Sequence, residues 1–323
     1  MIRGPGEHAM KAQDYQAFVE QLGDLTSGQR AALLAALTSE SSSSEALSMI
    51  ETRFAADPAC GHCGSKAFGG WGRQHDLKRY KCKSCRKTFN ALTGTPLAQL
   101  HCRDKWLDYA RAMVDGVSLR KAAERCDVHL ETSFRWRHRF LKAPKMTKAA
   151  AVTGIVEADE TFIRKSSKGS RGLLRRARKR GGKADKPGLS TDDYDPVLIV
   201  RDRHGATTDA ILPDLTAATF AMHLTPVVAK DAVLVSDGRD AYGAFAHAND
   251  ILHIPIIASR GQHVYEGFHI QNVNAYMSRL KGWMLRFRGV ATNYLTSYLG
   301  WRRMIERTGP MLTPRQALAA AVG

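Results

Sequence analysis

Three short runs of the chain are apolar enough, and bounded sharply enough, to be strands of a buried sheet. They are GIVEADETFI from Gly154, AVLVSDG from Ala232 and ILHIPII from Ile251. Runs of this length rich in Val, Ile and Leu fit strands covered on both faces. PVLIVRDRHG and the following ATTDAILP read as a hairpin turning at His204 and Gly205. Helical spacing fills the gaps: TAATFAMHLTPVV, RDAYGAFAHAN and the long stretch after Phe268. The first half of the chain reads differently. AQDYQAFVEQLG and SGQRAALLAAL predict two helices, the second capped by Thr26 or Ser27, and a third runs through Phe54 after the serine run SESSSSEAL. SLRKAAERCDVHLETSFRWRHRF has the cadence of a helix–turn–helix. Ser118 caps the first helix, a turn spans Cys126 to His129, and a recognition helix begins near Glu131.

The order strand, two strands, helix, strand, helix, strand, helix predicts an α/β RNase H-like domain, a mixed sheet flanked by helices. The predicted boundaries are a helical N-terminal region at 1–56, a cysteine-bearing module at 57–100, the helix–turn–helix at 101–145, the RNase H-like domain at 152–308 and a C-terminal tail at 309–323. An insertion at 164–188 splits the first strand from the hairpin.

Charge narrows the function. The 323 residues carry 48 Lys and Arg against 31 acids, a formal +17, which favours polyanionic partners through phosphate neutralisation. The excess is clustered: from Arg164 to Lys186 there are eleven basic residues and one acid. Arg175, Arg176, Arg178, Lys179 and Arg180 at its centre are predicted DNA contacts. Arg135, Arg137 and Arg139 are predicted contacts from the recognition helix, beside Thr132, Ser133 and His138. No apolar run reaches transmembrane length and the first residues are too polar for a signal peptide, so a cytoplasmic location with no membrane partner is expected.

Four of the six cysteines form two CxxC pairs, Cys60/Cys63 and Cys82/Cys85, eighteen residues apart. Two tight turns presenting four thiolates predict a zinc ribbon with a structural Zn2+. His62 and His75 are read as bystanders. Asp159 and Asp237 each lie near the end of a predicted strand. If those strands are neighbours the carboxylates converge, and they repel unless a cation lies between them. Hard oxygen ligands select Mg2+ or Mn2+, which can drive phosphodiester attack. The third ligand has to come from HIQNVNAYMSRLK, yet Gly267 to Ile305 contains no acid. Asn272 and Asn274 are the polar candidates, and Glu266 just before the helix is an acidic one. Lys281 lies seven residues after Asn274, two turns along the same face.

With CxxC…CxxC, EADET, RKRGGK, VLVSDG, HIQNVNAYMSRLKGW and RFRGVATNYLTSYLGW all in place, the chain resembles bacterial insertion-sequence transposases of the zinc-ribbon, ISXO-like branch of the DDE superfamily. The resemblance covers most of the chain. It implies binding to the terminal inverted repeats of an element and metal-dependent cleavage and transfer of double-stranded DNA by a homo-oligomer. It also implies a catalytic set of Asp159, Asp237, Asn274 and Lys281, because asparagine seven residues before lysine is an accepted form of the third position in this branch. Glu160 could support Asp159 and is given no catalytic role. The competing expectations are a DNA-binding regulator whose nuclease domain no longer cuts, and a structure-selective nuclease or resolvase of the same fold.

Overall fold

The computed structural model of the chain describes residues 11–74, 76–173 and 192–323. Arg175, Arg176, Arg178, Lys179 and Arg180, like His75, lie outside the described residues.

The first helices are α1 (Ala12–Gln21) and α2 (Ser27–Ala56). Thr26 caps α2 in a reciprocal capping box with Gln29. The serine run does not interrupt this helix, contrary to the sequence expectation of two separate helices. No Gly or Pro occurs between Gln29 and Asp57, and serine alone costs too little helix propensity to stop a helix anchored at its far end. That anchor is the C-terminal half, where Ala46 and Ile50 are buried.

Strands β1 (Phe68–Gln74), β2 (Leu77–Cys82) and β3 (Thr88–Asn90) form an antiparallel sheet in that order. Phe54 of α2 closes over Phe68, Tyr80 and Phe89, with ring centroids 5.1–6.1 Å from its own. Helices α3 (Trp106–Val114), α4 (Leu119–Arg125), α5 (Leu130–Phe140) and α6 (Lys142–Met146) follow. Ser118 caps α4 by accepting from the N–H of Lys121, and the turn after α4 falls at Cys126–His129 as the pattern predicts.

The second sheet has five strands: β4 (Ile155–Arg164), β5 (Tyr194–Asp202), β6 (Thr207–Ile211), β7 (Val233–Ser236) and β8 (Leu252–Pro255). Their order is β6-β5-β4-β7-β8. β5 runs antiparallel to β4 and β6, while β4, β7 and β8 are parallel. This mixed sheet has the order and directions expected for an RNase H-like domain. The β5–β6 hairpin turns at Gly205, whose φ of +92° suits glycine. Asp202 fixes the turn by accepting from the N–H groups of His204 and Ala206. Helices α7 (Ala217–Leu224) and α8 (Asp240–Asn249) cover one face, where Val156, Ala158, Leu198 and Val200 meet Phe220, Tyr242 and Phe245. Helices α9 (Gln271–Leu285) and α10 (Leu295–Thr308) cover the other, over Val197 and Ile199.

That second core does not stop at the sheet. It continues from Trp283 and Trp301 through Tyr109, Trp136 and Phe140 to Ile50. The last residues are not a loose tail: α11 (Pro314–Val322) buries Leu318, Ala321 and Val322 against α2, α3, α5 and α6. The joint expected near Pro144 is likewise tied down. Arg303 of α10 donates to the carbonyls of Thr147 and Lys145 and pairs with Asp209 of β6, both side chains 3% exposed. Among the described residues, no helix is long and apolar enough to cross a membrane.

Candidate active site and metal centres

β4 delivers the first carboxylate. Alternation along a strand sends Val156 and Ala158 to one face, and Glu157 and Asp159 to the other, toward α9. The β4–β7 ladder ends with Ala158 opposite Ser236, so Asp159, midway along β4, and Asp237, just past the end of β7, stand side by side. Oxygens of Asp159, Glu160 and Asp237 all lie within 4.8 Å of one another. Asp159 accepts from the N–H of Glu160 at 2.7 Å, and Asp237 from the N–H of Arg239 at 3.1 Å. Each uses its Oδ1, which leaves Oδ2 to a ligand.

The electrostatics are those of a cation site. Burial, then the neighbouring Asp237, pushes Asp159 up to about 6; Arg239 and Lys281 oppose the shift only in part. Burial also pushes Glu160 up to about 7, despite the Arg239 guanidinium 2.8 Å away. Three carboxylates this close, one buried and two half-buried, repel, and a hard divalent ion relieves that repulsion. The residues therefore fit a metal.

Glu160 is the member that sequence reasoning kept out of the ligand set. Adjacent strand residues point to opposite faces, which separates Glu160 from Asp159 on paper. Asp237 lies just beyond the end of β7, where neither face is closed off, and the longer Glu160 side chain reaches the same space. Arg239 holds that carboxylate, which marks Glu160 as a partner of the pair.

Glu157 has a different task, and only its spacing from Asp159 hinted at it. Buried on β4, it accepts from the N–H groups of Asn272 and Val273 at 2.8 and 3.0 Å, and from Asn272 Nδ2 at 2.8 Å. Arg203 and His269 approach the same carboxylate at 3.6 and 3.4 Å. A carboxylate at a helix N-terminus satisfies orphan donors and the helix dipole together. Glu157 thus clamps α9 to the strand that carries Asp159. The clamp engages Asn272. Asn274 is exposed one helical step beyond, and Glu266 is exposed in the preceding loop with φ +47°. Lys281, two turns along α9, is also exposed.

The four cysteines converge as their spacing predicts. Cys60 and Cys85 Sγ are 3.7 Å apart, as are those of Cys63 and Cys82. Four sulfurs around one tetrahedral ion with bonds near 2.3 Å sit about 3.8 Å apart. The N–H of Cys85 donates to Cys82 Sγ and helps pull that thiol down to about 6. This set fits a metal ion closely.

The arginines predicted on α5 divide. Arg135 is exposed, with Glu131 2.8 Å away. Arg137 is not on the outer side at all: it is fully buried, lies over the Trp301 ring at 4.6 Å and donates to the Val117 carbonyl. Arg139 donates to the carbonyls of Pro96 and Ala98. Ser133 is buried against Tyr109, and His138 stacks on Tyr294 at 3.9 Å, where burial lowers it to about 4 and keeps it neutral. Only Leu130, Glu131, Phe134 and Arg135 of α5 are exposed. Of these, Leu130, Glu131 and Phe134 border a cleft of about 1020 Å³ whose cations are Arg120, Lys121, Lys168, Arg286 and Arg288.

Residues 151–302, from just before β4 into α10, match the ISXO2-like transposase domain. A relative from Halobacterium salinarum, described as an uncharacterized protein in transposable element ISH50, is 26% identical over 252 residues, covering 74% of this chain and 82% of its own. The crystal structure of a pre-cleavage Mos1 transpososome aligns with 67% of this chain and 79% of its own at 12% identity. Its TM-score is 0.21, too low to bear on the fold. The family match spans Asp159, Glu160, Asp237, Asn274 and Lys281, so the carboxylate cluster lies within the transposase domain.

Proposed function

We propose that this protein is a transposase that binds the terminal inverted repeats of its insertion sequence and catalyses metal-dependent DNA strand cleavage and strand transfer. The observation that carries the reading is the convergence of Asp159 and Asp237, half-buried and mutually repelling, where β7 ends beside the middle of β4 inside the matched segment. Asp159, Asp237 and Asn274 would hold Mg2+ or Mn2+. A bound ion would lower the pKa of the attacking water or 3′-hydroxyl and offset charge on the departing oxygen of the phosphodiester. Asn274 is the choice for the third position because Glu157 engages Asn272 and because Asn274 keeps the two-turn spacing to Lys281. An amide oxygen ligates a hard metal without adding charge, so the site has one negative charge fewer than three acids would give. Lys281 faces the incoming phosphate, and Arg239 holds Glu160 beside the pair. Arg135 and the cations of the cleft beside α5 contact the DNA, as does the basic insertion, with the helix pair α4–α5 acting as a helix–turn–helix. The active form is a multimer on paired ends.

The experiment is incubation of the full chain with a DNA bearing its element's own ends, in Mg2+ or Mn2+ and in chelator. Cleaved and joined products only with metal are expected. Tight end binding with no cleavage in either ion would make the protein a DNA-binding regulator instead.

The acidic cluster gives a pH prediction. Its folded pKa values are raised to about 6 and 7. A raised carboxylate adds stability below its unfolded value near 4 and loses it as pH rises through the folded one. The metal-free protein should therefore lose melting temperature between pH about 4 and about 7 relative to Asp159→Asn. Saturating Mn2+ should cancel that loss in the wild type alone. Parallel melting curves for the two proteins across this range, with and without ion, would refute the cluster's role.

The cysteine site gives a second one. Its sulfur geometry points to a structural Zn2+, and such ions contribute about 10–16 kcal/mol to small metal-folded modules. Titrating the native protein with a mercurial should release one zinc per chain and open the segment 58–95 to protease, while the five-stranded sheet keeps its hydrogen-exchange protection. Zinc-free protein with an intact ribbon would contradict this.

A further inference from the structure

Trp71 is the exposed one of five tryptophans. It is 52% exposed, whereas Trp106, Trp136, Trp283 and Trp301 are at most 6%. It stands on β1, the edge strand of the ribbon sheet, where the register shifts between Gly70 and Arg73. The core of the ribbon is complete without it, closed by Phe54, Phe68, Tyr80 and Phe89. Its neighbours Gly69 and Gly70 are not demanded by packing, because a Cβ added at either would meet nothing within 4 Å. They leave bare backbone beside the ring. Lys81 from the next strand sets its ammonium 4.3 Å from the ring centroid. Between Asp57 and Leu100 the chain has eight basic residues and two acids, and Arg73, Lys78, Lys83, Arg86 and Lys87 are all exposed.

A large ring held proud of a cationic surface, with a lysine on it and open backbone beside it, fits one class of partner. We propose that Trp71 is a stacking platform for an unpaired nucleobase of DNA, with Lys81 and the surrounding cations holding the adjoining phosphates. Aromatic rings take any base by its π-face, and phosphate contacts add affinity without reading sequence. A protein partner would favour an apolar rim around the ring, and this rim is charged. For a transposase, the unpaired bases are those exposed when a DNA end is opened or cut. The inference rests on the reading of this chain as acting on DNA, and it assigns to the ribbon a contact distinct from the carboxylate cluster.

The test uses the full-length, zinc-loaded chain without catalytic metal. Its probes are a short oligothymidylate and heparin, a polyanion with no bases. Because Trp71 is the exposed indole, oligothymidylate should quench the long-wavelength component of the fluorescence that Trp71→Ala removes, and heparin should not. Trp71→Ala should weaken oligothymidylate binding between about five- and a hundredfold, leave heparin binding and zinc content unchanged, and be partly rescued in Trp71→Phe. Equal oligothymidylate affinity in wild type and Trp71→Ala would overturn the proposal, as would an equal loss toward heparin. A change in the oligomeric state of the free protein on substitution would mark a protein contact and also overturn it. The two readings separate cleanly. Metal-dependent end cleavage with unchanged oligothymidylate binding in Trp71→Ala sinks the platform alone, whereas the predicted binding loss in a protein that never cleaves sinks the catalytic reading alone.

Discussion

Asp159→Asn and Asp237→Asn should each abolish cleavage and joining of element ends, by roughly three orders of magnitude or more, since a catalytic divalent ion contributes several kcal/mol to such a transition state. End binding should survive in both, because neither side chain lies on the cationic surfaces. The two substitutions also remove repulsion between half-buried acids, so both variants should melt above the wild type at neutral pH without metal. Loss of activity with a gain in metal-free stability is a combination that a merely structural aspartate would not give. Glu160→Gln should be milder, because Arg239 already offsets its charge at 2.8 Å. Glu157→Ala should fall between. It leaves the metal pair intact but removes three hydrogen bonds from the start of α9, and so loosens the helix that carries Asn274 and Lys281. Steady-state joining rates beside end-binding affinities across the five proteins check the ranking. An Asp159→Asn protein that joins DNA at the wild-type rate would end the metal reading.

The second large effect concerns stability. Arg303→Ala should destabilise the chain by about 3–5 kcal/mol, the usual cost of leaving one member of a buried ion pair alone. Asp209 would keep its charge in a site 5% exposed. Lys148, whose Nζ is 3.9 Å from Asp209 Oδ1, compensates in part and places the loss toward the lower end. Arg303 also ties Thr147 and Lys145 to α10, so the loss should include the packing of α6 on the transposase domain. Arg303→Lys keeps the charge but not the planar fork, and an intermediate value is expected. Denaturant unfolding of the three proteins checks this. A change within about 0.5 kcal/mol for Arg303→Ala, the range of ordinary surface substitutions, would mean that the pair contributes nothing.

The parts legible in the sequence are those set by local pattern. The strands that carry Asp159 and lead into Asp237, the hairpin at Gly205, the caps at Thr26 and Ser118 and the two CxxC turns all depend on residues within a few positions of one another. What the pattern missed is set by partners far along the chain. Arg137 shares a helical face with Ser133, Trp136 and Phe140, so its spacing already put it inward. The reason a charge is tolerated there is the Trp301 ring, more than 160 residues later, which no local signal announces. Glu157 looked like one more acid in EADET because its partners, the N–H groups of Asn272 and Val273, begin 115 residues on. The serine run looked like a break because composition was weighed above the absence of any glycine or proline. Likewise α11 reads as a short tail until α2, α3, α5 and α6 are assembled to receive Leu318.

The central claim, a divalent ion held by Asp159 and Asp237 with Asn274 as third ligand, is tested most directly by Mn2+ binding followed calorimetrically in the wild type, Asp159→Asn and Asn274→Ala. The account predicts binding with proton release at neutral pH in the wild type, none at this site in Asp159→Asn, and weakened binding in Asn274→Ala. Undiminished Mn2+ binding by Asp159→Asn would contradict it.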